Sequence, residues 1–158
     1  APGWLPRFPN LVVSRTLSKA YGLAGLRVGF GLAHPEVAEI MNRVRQPFNV
    51  NHLAMVGAVA ALGDTAFIEE SRRLNAAGLE QLAQGFRELG LAFIPSQGNF
   101  VAVRVGDAAR IYASLLRQGV IVRPVANYGM PEHLRVTVGT PGQNTRFLAA
   151  LARSMKGE

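Results

Sequence analysis

The densest group of chemically useful side chains in this sequence lies between residues 14 and 30, in the string SRTLSKAYGLAGLRVGF. Two hydroxyl side chains, Thr16 and Ser18, precede Lys19, and Arg27 follows eight residues after the lysine. Hydroxyls, backbone N–H groups and a guanidinium in one compact turn can bind a phosphate dianion. A lysine beside such a turn can form a Schiff base with an aldehyde cofactor. The spacing therefore predicts a phosphate-binding turn that carries a reactive lysine.

A single lysine in a glycine-rich turn is more typical of a solvated surface charge, so the prediction depends on the whole pattern. That pattern reads S/T-x-S-K-x(5)-G-x-R-x-G, and its specified positions are Thr16, Ser18, Lys19, Gly25, Arg27 and Gly29. Lysine is also scarce, because the only other one in the chain is Lys156. We therefore take a reactive lysine as the main hypothesis and a surface charge as its alternative.

The elements that must position this turn follow from hydrophobic periodicity and turn residues. The pattern predicts strands at 11–15, 26–33, 91–94, 100–105, 120–124 and 134–139, and helices at 36–44, 51–62, 64–89, 107–118 and 142–155. Asp64 and Asp107 stand where helix N-caps are expected. The almost uncharged helix 51–62 is predicted to be buried on most sides. Strands that alternate with helices indicate an α/β or α+β layer structure.

Composition excludes several classes of function. The 158 residues carry 17 lysines and arginines against 10 acids, a formal charge of +7. The arginines are scattered singly, apart from Arg72 and Arg73, and no aromatic residues alternate with them, so we expect no nucleic-acid binding. The absence of cysteine excludes disulfides, thiolate zinc sites and a thiol nucleophile. His34, His52 and His133 lack metal-ligand spacing, so we expect no metal site.

We also expect no membrane segment, because the sequence contains no uncharged apolar run of 18 residues. Its first ten residues have neither the basic region nor the apolar stretch of a signal peptide. A cytoplasmic protein is the resulting expectation.

The lysine string resembles the motif of fold-type I pyridoxal-phosphate aminotransferases of class I/II. More narrowly, RTLSKAYGLAGLRVGF followed by QPFNVN (46–51) is similar to histidinol-phosphate aminotransferases. Three later strings match landmarks of the small domain of that family in the same order: SQGNFVAV (96–103), GVIVRP (119–124) and LRVTVGTPGQNTRFLAAL (134–151). The resemblance implies an α/β fold in which residues 1–77 end the large cofactor domain. A long interdomain helix then leads into a small α+β domain at 78–158.

The resemblance also implies a role for each matched residue. Lys19 would carry the covalent link to pyridoxal 5′-phosphate, and Thr16, Ser18 and Arg27 would hold the cofactor phosphate. Arg135 would receive the anionic group of the substrate, and Arg146 would help to grip the substrate phosphate. A guanidinium suits both anions, because its planar fork pairs with carboxylate or phosphate. Arg123 either lines the site or has a structural role, and the sequence leaves both open.

The implied reaction is transamination between histidinol phosphate and 2-oxoglutarate, which yields glutamate, within histidine biosynthesis. Members of this fold type are usually homodimers, so we expect a homodimer here. The match corresponds only to the C-terminal portion of a usual family member, whose cofactor-binding aspartate and tyrosine lie upstream of the lysine. We therefore expect a fragment with little transaminase activity by itself.

Two alternatives stay open. The first is another class I/II enzyme, such as an aromatic or broad-specificity aminotransferase or a threonine-phosphate decarboxylase, which shares phosphate recognition. The second is a non-catalytic binding module in which Lys19 is a bystander. Labelling of Lys19 by the cofactor would separate the enzymes from the binding module.

Overall fold

The computed structural model describes residues 2–157, which form a mixed α/β structure. It divides into two compact units, Ala1–Ser71 (unit 1) and Arg72–Glu158 (unit 2). The division falls within the long helix in which the sequence predicts the domain boundary. The assignment of 1–77 to a large domain and of 78–158 to a small domain stays a prediction.

Unit 1 begins with an antiparallel pair of strands and continues with helices. The elements are β1 (Val12–Thr16), β2 (Gly29–Ala33), α1 (Pro35–Val44), α2 (His52–Gly63) and the start of α3 (Thr65–Glu88). Thr16 pairs with Gly29 at the end of the ladder, so the residues between them form the connecting turn. Pro35 is tolerated at the first position of α1, where its missing N–H has no helical partner.

Unit 2 contains the rest of α3 and an antiparallel sheet. Its further elements are β3 (Phe93–Ile94), β4 (Phe100–Arg104), α4 (Ala108–Arg117), β5 (Arg123–Pro124), β6 (His133–Thr137) and α5 (Pro141–Lys156). The strand order in the sheet is β3-β4-β6-β5. Within this register Ala102 on β4 and Arg123 on β5 both lie opposite Arg135 on β6.

The hydrophobic core of unit 2 lies on one face of that sheet. Alternate residues of β4 and β6 point into it, and the members supplied by these strands are Val101, Val103, Leu134 and Val136. Helices α3, α4 and α5 supply Phe86, Ile111 and Leu151, each of which is fully buried. Because side chains alternate across a strand, Phe100 and Arg135 belong to the opposite face.

Helix starts are where the sequence predictions succeed best. The Asp64 carboxylate accepts the N–H of Phe67 at 3.0 Å, and that of Asp107 accepts the N–H of Arg110 at 3.0 Å. Both predicted caps are confirmed. An N-cap requires only a short polar side chain next to the first turn, so local sequence is sufficient to predict it.

Four predicted strands are wrong at one end: β3 begins two residues late at Phe93, β6 ends two residues early at Thr137, and β2 and β5 each begin three residues late. Strand β2 begins at Gly29 rather than at residue 26, because Ala24–Leu26 form a 3₁₀ turn and Arg27 has a left-handed backbone. Strand β5 contains only Arg123 and Pro124 rather than 120–124, because only these two residues pair with β6, and the N–H of Val120 is bonded instead to the carbonyl of Leu115 in α4.

The predicted burial of helix α2 is also wrong for the described chain, in which Ala54 is its only buried residue. Leu53, Val56 and Val59 are exposed over more than half of their surface. Among the described residues, no single helix is long and apolar enough to cross a membrane; α2 and α3 reach that length only together, across the bend at Asp64.

Candidate functional site

The turn between β1 and β2 is closed by backbone hydrogen bonds that leave Lys19 at its surface. Leu17 donates its N–H to the carbonyl of Val28 at 3.2 Å and accepts the N–H of Leu23 at 3.0 Å. The Leu17 side chain is almost fully buried, whereas Lys19 is exposed. The turn therefore has a fixed apolar anchor two residues before the lysine.

Two hydroxyls stand directly before the lysine. The Oγ1 of Thr16 accepts the backbone N–H of Ser18 at 3.1 Å, which draws the two residues into one small turn. A hydroxyl that accepts this bond still has its own hydrogen to donate. Thr16 is exposed and Ser18 is half-buried, so both hydroxyls can reach a ligand next to Lys19. No described residue forms a hydrogen bond or an ion pair with the ammonium of Lys19.

Arg27 closes the same turn in a left-handed backbone conformation, with φ of 54° and ψ of 48°. Its Nη1 donates to the carbonyl of Ala24 at 3.0 Å, which folds the side chain back over the 3₁₀ turn. A non-glycine residue in this conformation costs about 1–2 kcal/mol, and such strain persists where the surroundings enforce it. Helix α2 helps to hold Arg27 in this conformation through the preceding residue. The Leu26 side chain packs against Gly57, and the Leu26 carbonyl lies 3.5 Å from the side-chain amide nitrogen of Asn51.

Gly29 allows β1 and β2 to meet directly after this turn. A Cβ at this position would lie 2.5 Å from the backbone oxygen of Arg15, whereas a Cβ at Gly31 in the same strand would meet nothing within 4 Å. We expect Gly29→Ala to lower the free energy of unfolding by about 1–3 kcal/mol, because backbone cannot retreat as a flexible side chain can. Gly31→Ala is the matched control and should leave stability unchanged or slightly raised. Thermal unfolding followed by circular dichroism would test this, and equal losses in both variants would contradict it.

The second group of predicted site residues lies in unit 2, on the sheet face opposite the core. Arg135 is half-buried, and the central carbon of its guanidinium lies 4.8 Å from the centroid of the Phe100 ring. Its Nε is buried and has no hydrogen-bond partner among the described residues. A buried donor without an acceptor is unfavourable, so the described residues alone leave the hydrogen-bonding capacity of Arg135 unsatisfied.

Arg123 is the cross-strand neighbour of Arg135, because the two residues are directly paired in the ladder between β5 and β6. Opposite residues of an antiparallel pair project to the same face, and like charges in this position repel. Neither guanidinium forms an ion pair within residues 2–157, whereas Arg104 on the same face is paired with Glu132 at 2.9 Å. Together, Arg123, Arg135 and Phe100 form what we call the arginine face, and its two free cations suit an anion.

Asn144 holds the end of β6, on which Arg135 lies, to the helices beneath. Its Oδ1 accepts the N–H of Gly139 at 2.9 Å, and its Nδ2 donates to Gln81 Oε1 at 3.0 Å. Gln81 in turn donates to the carbonyl of Pro141 and to the hydroxyl of Thr145 at the start of α5. This network, in which only Asn144 is buried, ties the segment after β6 to α3 and α5, and so supports the strand that carries Arg135.

Arg146 does not lie on the arginine face. It is on helix α5, and its Nη2 donates to the carbonyl of Gln118 at the end of α4, at 3.2 Å. The next residue, Phe147, belongs to the core on the other face of the sheet. Arg146 lines a cavity of about 380 Å³ to which Arg135 does not contribute. A role for Arg146 in substrate binding stays a prediction, and its observed contact is that of a helix cap.

The histidines do not assemble with other ligands. Among the described residues, no group of three or more histidine, aspartate or glutamate side chains could hold a metal ion. His133 lies on β6 two residues before Arg135, and its Nδ1 is buried without a partner in the described part of the chain.

The family model described as aminotransferase class I and II matches residues 3–151. The chain belongs to this family. Solved structures of aminotransferases share its fold, and this chain matches less than half of the length of each of the first of them.

This aminotransferase chain is similar in sequence and in structure to enzymes that act on phosphorylated substrates, as their names state. Histidinol-phosphate aminotransferase 2 of Pseudomonas fluorescens is 66% identical over 151 residues, which are 95% of this chain and 41% of the relative. The structure of histidinol-phosphate aminotransferase from Sinorhizobium meliloti, in complex with pyridoxal-5′-phosphate, superposes with a TM-score of 0.82 at 30% identity, over 94% of this chain and 42% of that one. L-threonine-O-3-phosphate decarboxylase from Porphyromonas gingivalis gives a TM-score of 0.83 at 25% identity, over 98% and 50%. The predicted fold class, the C-terminal part of a fold-type I enzyme, is confirmed.

Sequence reasoning left the function of one aminotransferase residue open and did not single out another. For Arg123 both a site-lining and a structural role stayed open, because its partner Arg135 is twelve residues away and meets it only through strand pairing. Phe100 lies in the QGNF turn region, and nothing in the local sequence indicates that its ring contacts a guanidinium. The alternation along β4 places Phe100 on the solvent face, but a single apolar residue on that face is ordinary and indicates no partner.

Proposed function

We propose that this chain supplies the cofactor lysine and the substrate-binding arginines of a pyridoxal-phosphate-dependent histidinol-phosphate aminotransferase. The observation that carries the proposal is the exposed Lys19 in a turn that also presents Thr16, Ser18 and Arg27. The identities of 58–66% to several proteins named histidinol-phosphate aminotransferase support the substrate. The chain spans about 41% of the length of the first of these relatives, so the activity is proposed for the whole protein.

The donor set of the lysine turn fits pyridoxal phosphate. A phosphate dianion requires several donors and positive charge, which the hydroxyls of Thr16 and Ser18 and the free N–H groups of Arg27 can supply. Lys19 stands one residue beyond Ser18, and its amine has no other partner among the described residues. An aldehyde group held at this turn would therefore have a primary amine within its own binding site.

In the proposed reaction, the bound cofactor supplies an electron sink that stabilises negative charge at the α-carbon of the amino substrate. Lys19 first holds the cofactor covalently. Once it is released, its Nζ would accept the proton from that α-carbon as general base and deliver it as general acid to the former aldehyde carbon of the cofactor, so that the keto product can leave by hydrolysis and the amino group is retained; the second half-reaction would run the same proton transfer in reverse. Thr16, Ser18 and Arg27 hold the phosphate throughout. Lys19 can then move relative to a cofactor that stays anchored.

The arginine face suits the anionic group of the substrates. Arg135 presents an unpartnered Nε, and Arg123 adds a second guanidinium directly across the strand pair. A guanidinium pairs with either phosphate or carboxylate through parallel N–H groups. Two such groups would bind the phosphate of histidinol phosphate in one half-reaction, and a carboxylate of 2-oxoglutarate or glutamate in the other, by donating N–H groups to it. Arg146 caps α4, so we prefer Arg123 as the second anion ligand.

We further propose a cytoplasmic homodimer. The support for dimerisation is the apolar surface of unit 1, where Val44, Phe48, Leu53 and Val59 are each more than 70% exposed. Surfaces of this kind mark sites of protein association.

Light scattering of the 158-residue chain should accordingly give a mass above that of a monomer. Phe48→Ser combined with Val59→Ser should reduce the association by removing apolar surface from unit 1. Ile121→Ser, at an exposed apolar residue of unit 2, should leave it intact. A monomer in all cases would refute the prediction.

A second candidate function is decarboxylation of a phosphorylated amino acid. The observation that favours it is the TM-score of 0.83 to L-threonine-O-3-phosphate decarboxylase, since both enzymes would recognise a phosphate. Assays of the whole protein with each substrate separate the two, through release of carbon dioxide in one case and transfer of the amino group to 2-oxoglutarate in the other.

Reductive labelling tests the proposal on this chain itself. Incubation with pyridoxal phosphate and reduction with borohydride, followed by peptide mapping, should place one adduct on Lys19 and none on Lys156. Equal labelling of both lysines, or labelling of Lys156 alone, would favour the non-catalytic binding module.

A further inference from the structure

The ring of Phe100 lies under the guanidinium of Arg135, on the sheet face that carries no core. Phe100 is 39% exposed and is not a member of the hydrophobic core, which its strand neighbours Val101 and Val103 join from the other face. The central carbon of the Arg135 guanidinium is 4.8 Å from the ring centroid, well inside the range of a cation–π contact. The ring therefore makes its ordered contact with a cation, and burial in the core does not explain its position.

Arg135 has few other groups to hold it. Arg123 stands directly opposite and repels it, no described carboxylate pairs with it, and its Nε has no acceptor. A long charged side chain in this situation would be expected to move away into solvent. An aromatic face can hold the cation without using any of its N–H groups, because the attraction is to the π electrons. The contact with the ring therefore occupies none of the N–H donors of Arg135.

We propose that Phe100 is a positioning residue that holds the Arg135 guanidinium ready for the anionic group of the substrate. The proposal rests on the proposed function of Arg135 and adds a reason for its affinity. A guanidinium that is already ordered loses less conformational freedom on binding, so the anion is bound more tightly. The aromatic character of residue 100 is what matters, and an aliphatic side chain of similar size cannot replace it.

The contact itself can be tested on the unsubstituted chain by nuclear magnetic resonance. The ring current of Phe100 should shift the Arg135 side-chain N–H signals upfield, and nuclear Overhauser contacts should join them to the ring protons. If the Arg135 N–H signals lie at their random-coil chemical shifts and show no nuclear Overhauser contacts to the Phe100 ring, the proposal is overturned without any variant.

Titration with inorganic phosphate, followed through the same signals, tests the consequence. Phe100→Leu should weaken phosphate binding about fivefold and abolish the upfield shift, and Phe100→Tyr should restore both to within about twofold. Phe8→Leu is the matched control, because Phe8 is another exposed ring with a guanidinium near it, that of Arg7 at 5.7 Å. It should not change phosphate binding. Thermal unfolding of each variant reports whether the fold is kept.

The outcomes separate this proposal from the proposed function. Unchanged phosphate affinity in Phe100→Leu, or equal losses in Phe100→Leu and Phe100→Tyr, would overturn the positioning role while the anion site stands. Absence of phosphate binding by the unsubstituted chain, or binding that Arg135→Ala leaves unaltered, would overturn the proposed function and the positioning role with it.

Discussion

The Lys19→Ala chain is expected to lose all covalent attachment of pyridoxal phosphate and, in the whole enzyme, nearly all turnover. Lys19 presents an exposed amine in a turn whose neighbouring donors suit the cofactor phosphate. Without this amine no group in the turn can form the covalent link or move the substrate proton. General acid–base catalysis by a positioned side chain contributes about 10²–10⁴-fold, so turnover should fall by at least that factor. Visible absorbance of the bound cofactor and mass spectrometry after borohydride reduction would measure the first effect.

The control for this variant is Lys156→Ala, which removes the only other lysine. Lys156 ends helix α5 in unit 2, outside the lysine turn, so its loss should leave labelling and absorbance unchanged. Lys19→Ala should still bind the cofactor non-covalently through Thr16, Ser18 and Arg27, with lower affinity. An undiminished covalent adduct in the Lys19→Ala chain would remove the basis of the proposed function.

Arg135→Ala is expected to weaken binding of inorganic phosphate by about 10- to 150-fold, the range that corresponds to loss of hydrogen bonds to a charged group. The reason is the unpartnered Nε of Arg135 and the free guanidinium beside it, which together supply most of the donors on the arginine face. Arg135→Lys should bind with intermediate affinity, because it keeps the charge and loses the planar fork. Isothermal titration calorimetry would measure these constants.

Arg104→Ala is the matched control for this experiment. Arg104 lies on the same sheet face, but its guanidinium is already paired with Glu132. Its removal should change phosphate affinity little. The free energy of unfolding should change little in Arg135→Ala, because the substitution removes both the like charge opposite Arg123 and the attractive contact with the Phe100 ring. Equal losses of affinity in Arg104→Ala and Arg135→Ala would indicate general charge attraction and contradict a specific site.

Several features of this protein can be predicted from local sequence because their causes lie within a few residues. Asp64 and Asp107 cap helices as predicted, since a cap needs only a short acceptor beside the first turn. The lysine turn is local in the same sense, because its closing bonds join residues of one short loop. Helix positions agree with the apolar spacing to within about two residues.

Strand limits and burial were predicted less well, for reasons that involve other parts of the chain. Residues 26–28 read as strand by composition, but the 3₁₀ turn and the left-handed Arg27 displace the start of β2. Helix α2 reads as buried because it is apolar, yet burial requires a covering surface, and in the described chain only Ala54 is covered. The composition of a segment shows how much apolar surface it could bury, but it does not show whether another part of the protein covers that surface.

The sequence by itself determined which residues are the candidates for holding a cofactor, because Thr16, Ser18, Lys19 and Arg27 lie within one turn whose spacing is visible in the chain. Only the tertiary structure decided how the arginines proposed to bind the substrate are arranged. It set Arg123 opposite Arg135, brought the Phe100 ring under the latter and engaged Arg146 with α4. The physical reason is that strand register and helix packing join residues distant in sequence, and no local pattern of charge or hydropathy specifies which of them meet.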